Sequence, residues 1–188
     1  MNILKRSIPT MLAGLALANG VSALELLSPD LQQGKALGQR QEFNGFGCTG
    51  PNISPALSWK DAPAGTRSFA ITLYDPDAPT GSGWWHWMLF DLPATTQHLQ
   101  AGASSGAGKG LPAGSIQSLT DFGAPGFGGA CPPAGDPAHR YVLTLHALKT
   151  PRLELGADAM PALVGFMLKA NSLATASITA TYARPATP

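Results

Sequence analysis

Two prolines in five residues cut off the most regular strand of this chain. Ser68 to Tyr74 alternates, with Phe69, Ile71 and Leu73 on one side and Ala70, Thr72 and Tyr74 on the other, the period of a β-strand. Asp75-Pro76-Asp77-Ala78-Pro79 follows at once. Proline has no N–H to give a ladder, so the strand ends there and the chain must turn. Beyond a glycine-bearing turn, Thr80 to Gly83, comes Trp84-Trp85-His86-Trp87-Met88-Leu89-Phe90, a second strand dense in aromatics, closed by Asp91-Leu92-Pro93.

The same punctuation governs the rest. The 188 residues hold 22 Gly and 17 Pro between short apolar runs, which favours a β-sandwich or barrel over a helical bundle. Leu24 to Leu57 is loop-rich, and Asn52-Ile53-Ser54, a glycosylation-type triplet followed by Pro55, reads as a polar turn. Residues 101–137 carry 10 of the 22 glycines and are expected to form a long ordered loop. Arg140 to Leu148 alternates again, as a central strand. Ala159 to Ala170 changes to a helical period that places Met160, Leu163, Val164, Met167 and Leu168 on one face, with Met160 and Met167 assigned to the core. Ser177 to Tyr182 reads as a short closing strand.

Lys5 and Arg6, then the apolar run Ile8 to Ala18, then Val21-Ser22-Ala23, make a secretory signal over residues 1–23, with one domain from 24 to 188. The run is too short to span a bilayer, so no stable membrane insertion is expected, and the destination is the periplasm or the exterior. Losing Lys5 and Arg6 takes the formal charge from +1 to −1, which gives no basic field for nucleic acid. In an oxidising compartment Cys48 and Cys131 are better read as a disulfide than as two buried thiols. Neither lies in a zinc-binding setting, and no metal or cofactor is expected.

Three segments can carry chemistry: Asp75 to Pro79, with two carboxylates at a strand end; Trp85-His86-Trp87; and His139-Arg140-Tyr141 after the glycine-rich Gly126-Phe127-Gly128-Gly129. His98 and His146 read as structural. Together with FNGFGCTGPNISPALSW from Phe43, TDFGAPGFGGACPP from Thr120 and VGFMLKANSLATASITATY from Val164, these segments resemble the phosphatidylethanolamine-binding protein family, in its bacterial Raf-kinase-inhibitor-like YbhB/YbcL branch.

That resemblance implies a Greek-key β-sandwich of two antiparallel sheets with short peripheral helices. It also implies a small pocket for a phosphate-like anion or phospholipid headgroup. By motif position the pocket residues are Asp75, His86, His139 and Tyr141, with Pro79 and the backbone around Cys131 on the rim, and a cis Ala78–Pro79 bond. In that pocket the two imidazoles would each donate to the anion, Asp75 would fix a histidine tautomer, and glycine-rich backbone would aim N–H groups at phosphate oxygens. Arg140 alternates away from His139 and Tyr141, so it is assigned a structural role with Asp77. Related bacterial proteins imply a homodimer.

The function that follows is non-enzymatic binding. A hydrolase using the Asp/His/His set is the alternative, disfavoured because no activated Ser or Cys stands beside the histidines. An interaction or inhibitor module with a vestigial pocket is the third reading.

Overall fold

The computed structural model of the chain describes residues 23–105 and 108–186. The secretory signal expected over residues 1–23 lies outside the described residues except for Ala23. The strands in chain order are β1 (Glu25–Leu27), β2 (Asn44–Gly45), β3 (Cys48–Thr49), β4 (Leu57–Lys60), β5 (Ser68–Asp75) and β6 (Trp84–Pro93). Then follow β7 (His98–Leu99), β8 (Ile116–Gln117), β9 (His139–Leu148), the helix α1 (Pro161–Asn171) and β10 (Ser172–Tyr182).

The strands on either side of the prolines pair antiparallel, with Ser68 opposite Pro93 and Asp75 opposite Trp84. β9 returns to the other edge of β5, giving a five-stranded sheet in the order β10-β9-β5-β6-β8. In that order a later strand lies beside the first of three, consistent with a Greek-key path. A second sheet, β1-β4-β7, and the ribbon β2-β3 complete the strands.

The central strands β5 and β6 of the large sheet are buried on both faces, which explains why β5 carries no charged residue before Asp75. Phe69, Ile71 and Leu73 share one core with Leu143 and Leu145 of β9 and with Leu26, Leu57, Trp59 and Leu99 of the small sheet. Ala70, Met88, Phe90 and Leu148 face the other way, onto Leu153 and onto Val164 and Leu168 of α1. The two sheets therefore stack on one core and the helix covers part of the outer face.

Two expectations about the C-terminal third need correction. Pro161 opens the helix, where its missing N–H is harmless, and the buried stripe becomes Pro161, Val164 and Leu168. Met160 precedes the first turn and is 62% exposed, and Leu163 is 47% exposed, so neither joins the core face. Only Met167 of the two methionines packs there, and only partly. The closing strand is also longer than expected: β10 starts at Ser172, directly off the helix.

Cys48 and Cys131 are joined, with Cα atoms 6.0 Å apart. The bond ties β3 to the loop that precedes β9. Arg184, beyond β10, donates to Gly47 O at 2.7 Å and to Pro132 O at 3.3 Å, and so holds both ends of the same junction.

Candidate functional site

Asp75 ends β5 and His139 and Tyr141 begin β9, and the pairing of these strands brings them together. By alternation Asp75 lies on the face of Phe69, Ile71 and Leu73, and His139 and Tyr141 lie on the face of Leu143 and Leu145. His86 reaches that face by a different route. Leu73 is opposite Trp87 but Tyr74 is opposite Trp85, so His86 is an extra residue in a β-bulge. Without the bulge, His86 and Trp87 would point to opposite sides. With it, Trp87 packs in the inner core, Trp85 turns outward to lie 4.4 Å from the Tyr74 ring, and His86 meets the Tyr141 ring edge-on at 5.2 Å.

The hydrogen bonds fix the chemistry of each group. His139 Nδ1 donates to Asp75 Oδ2 at 2.8 Å, and both side chains are buried. The other oxygen, Asp75 Oδ1, accepts the Asp77 N–H at 2.8 Å. His139 Nε2 lies 3.6 Å from Asp136 Oδ2. Tyr141 is fully buried, and its hydroxyl sits beside Asp75 and the Cys131 backbone without a hydrogen bond of full geometry. Burial, with Asp75 nearby, pushes the phenol well up, so it stays protonated.

His86 departs from the expectation that it donates to an anion. Its Nδ1 lies 2.9 Å from Gly128 O and 3.0 Å from Gly129 O, two groups that only accept, so Nδ1 carries the hydrogen. Burial, only partly offset by these carbonyls and by Asp75, lowers its pKa to about 4 and keeps the ring neutral. Nε2 is then a lone pair. The glycine-rich backbone departs in the same sense. The N–H groups of Gly128, Gly129 and Ala130 are held by His86 O, Asn52 Oδ1 and Gln41 O. Its carbonyls, not its N–H groups, face the imidazole, because loop closure has already used the donors.

Asp75, His86, His139 and Tyr141 line a cavity of about 170 Å³ whose walls also include Phe46, Pro79, Trp84, Phe122, Cys131 and Pro132. Phe122 stacks on Phe43 at 4.3 Å and meets His86 edge-on at 5.3 Å. The expected cis bond is absent: no cis peptide occurs among the described residues, so Ala78–Pro79 is trans. The turn is closed instead by the Asp75–Asp77 contact and by Thr80 N–H donating to Ala78 O at 2.7 Å. Asp77 lies outside the cavity wall, where Arg140 Nε and Nη2 donate to it at 2.9 and 2.6 Å. That guanidinium holds the Asp77 carboxyl down, to about 2.

The family model for phosphatidylethanolamine-binding protein matches residues 28–183. This chain belongs to the phosphatidylethanolamine-binding protein family. It is 47% identical to Escherichia coli (strain K12) YbcL over 175 residues, covering 93% of this chain and 96% of that protein. It is 52% identical to YbhB of the same strain over 159 residues, covering 85% and 99%. The crystal structure of E. coli YbcL superposes with a TM-score of 0.84 at 48% identity, covering 86% of this chain and 99% of that one.

In this family member one residue of the site is invisible to motif reading. Asn52, read from sequence as a turn former, has φ of 56° and accepts the Gly129 N–H on Oδ1 at 2.7 Å. Its Nδ2 donates to Phe127 O at 3.1 Å. Its position in a Gly50-Pro51-Asn52 turn signals the positive φ but nothing of a partner far along the chain.

A wider groove of about 840 Å³ is lined by Asn52, Ser104, Gln117, Phe127 and neighbours. Among the described residues it contains no ionisable side chain, and Asp75, His86 and His139 are absent from its wall. Of these two concavities, the smaller one carries the ionisable side chains.

Proposed function

We propose that the protein is a non-enzymatic binding protein of the periplasm or exterior whose small cavity takes a phosphate-like oxyanion. The observation that carries this reading is Tyr141: a fully buried hydroxyl that makes no hydrogen bond of full geometry, in the wall of the cavity that Asp75, His86 and His139 also line. A buried polar group left unmade is unfavourable by about 1–3 kcal/mol, and a bound oxygen would complete it. Family membership supports the reading, and a disulfide supports an oxidising compartment. Asp75 is committed to orienting His139, and no activated nucleophile is evident beside the pair, which favours binding over turnover.

The test is phosphate titration followed by amide NMR and thermal melting. Shifts centred on the amides of Asp75, Asp77, Ala78, His86, Cys131, His139, Arg140 and Tyr141, with a raised melting temperature lost in His86→Ala, are expected. Shifts elsewhere, or equal protection of the variant, would reject the cavity. Hydrolysis of phosphomonoesters that disappears in His139→Ala would move the protein to the enzyme class.

A further inference from the structure

We infer that this cavity selects an oxyacid that still carries a proton, a phosphomonoester monoanion whose P–O–H donates to His86 Nε2, over unprotonated anions and over the phosphodiester of a lipid headgroup. The inference rests on the oxyanion reading above and narrows it.

It follows from counting hydrogens. Nδ1 of His86 faces two carbonyl oxygens, so the neutral ring's single N–H is there and Nε2 can only accept. The ring is buried and has no second donor to offer. Around it the backbone donors of Gly128, Gly129 and Ala130 are used inside the fold, and Pro132 and Pro133 have none. Both oxygens of Asp75 are acceptors already in use. Among the described residues, no lysine or arginine lines the cavity. The lining is therefore rich in acceptors around His86, with the Tyr141 hydroxyl and the unpartnered Trp84 indole N–H as neutral donors for a charged oxygen.

An anion without hydrogen would set its own lone pair against that of Nε2, in a desolvated place where mismatch is expensive. A P–O–H turns the same contact into an O–H···N hydrogen bond. Sites built to hydrogen-bond one group reject analogues that lack it by large factors. A phosphatidyl headgroup phosphate is a diester: its second ester oxygen takes the position where a monoester keeps its hydroxyl. The lipid headgroup thus lacks the hydrogen that this histidine requires.

The groups facing His86 are Asp75 from β5, Asp121 from the loop before Phe122, and His139 and Tyr141 from β9. Because several of these can titrate, the test fixes the pH and varies the ligand.

Calorimetric titrations at about pH 6, near the second pKa of a phosphomonoester, would compare inorganic phosphate, methyl phosphate, dimethyl phosphate and sulfate. Dimethyl phosphate has the charge of the methyl phosphate monoanion, the diester of a headgroup and no P–O–H. Sulfate has the shape of phosphate and no proton at this pH. Phosphate and methyl phosphate are expected to bind at least about ten-fold more tightly than the other two. His86→Phe, which keeps a ring and removes the acceptor, should erase that difference. If either proton-free ligand comes within ten-fold of phosphate, the proton requirement is wrong and the oxyanion cavity stands. If none of the four binds, the cavity reading itself falls. The wild-type series decides between these outcomes even if the variant does not fold.

Discussion

Asn52 and His86 hold the same short stretch of backbone: Asn52 takes the Gly129 N–H and gives to Phe127 O, while His86 gives to Gly128 O and Gly129 O. The rigidity of the cavity wall and the tautomer of its histidine are thus one structural fact. Asn52→Gly keeps a backbone that tolerates φ of 56° and removes both side-chain hydrogen bonds. It should destabilise the fold by about 1–3 kcal/mol and weaken phosphate binding several-fold, read by denaturant unfolding and by calorimetry. Unchanged binding would mean that the loop needs no help from Asn52.

Tyr141→Phe separates stability from binding. It removes a hydroxyl that makes no hydrogen bond of full geometry in the ligand-free fold, so the free protein should be as stable as wild type or slightly more stable. Phosphate affinity should fall by roughly ten-fold, the loss of about 1–2 kcal/mol. A less stable free variant with full affinity would contradict the role given to the hydroxyl.

Acid should destabilise the protein well above the range where its carboxylates protonate. Burial lowers both His86 and His146 to about 4. An unfolded histidine binds its proton near pH 6.5, so between 6.5 and 4 the unfolded state holds more protons and stability rises with pH. Stability is therefore complete above about 6.5 and is lost as pH falls toward 4, on the order of 3 kcal/mol for His86. Melting temperature against pH checks this. His146→Gln, at the ring that contacts Ser172 Oγ at 3.1 Å, should make the profile shallower.

Reducing the Cys48–Cys131 bond, whose ends are 83 positions apart, should remove roughly 4–5 kcal/mol by the chain-entropy model. Cys131 lines the cavity, so phosphate affinity should fall with the melting temperature. Thiol titration of unreduced, denatured protein should find no free cysteine. An unchanged affinity after reduction would place the rim's rigidity elsewhere, in Arg184 and its contacts to Gly47 and Pro132.

The sequence by itself determined the strands β5, β6 and β9, because alternation and proline stops act over a few residues. It also determined that His139 and Tyr141 share a face that Arg140 leaves, and its motifs named the family. It did not determine which way His86 points. Strict alternation along Trp84 to Phe90 opposes His86 to Trp87, and only the register against β5, with its bulge, turns both inward. Nor could it find Asn52, whose partner Gly129 is 77 positions away, or the spent donors of the glycine-rich loop. The helix face slipped for a related reason: apolar periodicity marks a stripe, but where Pro161 starts the turn decides which residues of it meet the sheet. Local pattern is set by the chain's own period. Which polar atoms are left for a ligand is set by pairing between distant segments, and that exists only once the fold has closed.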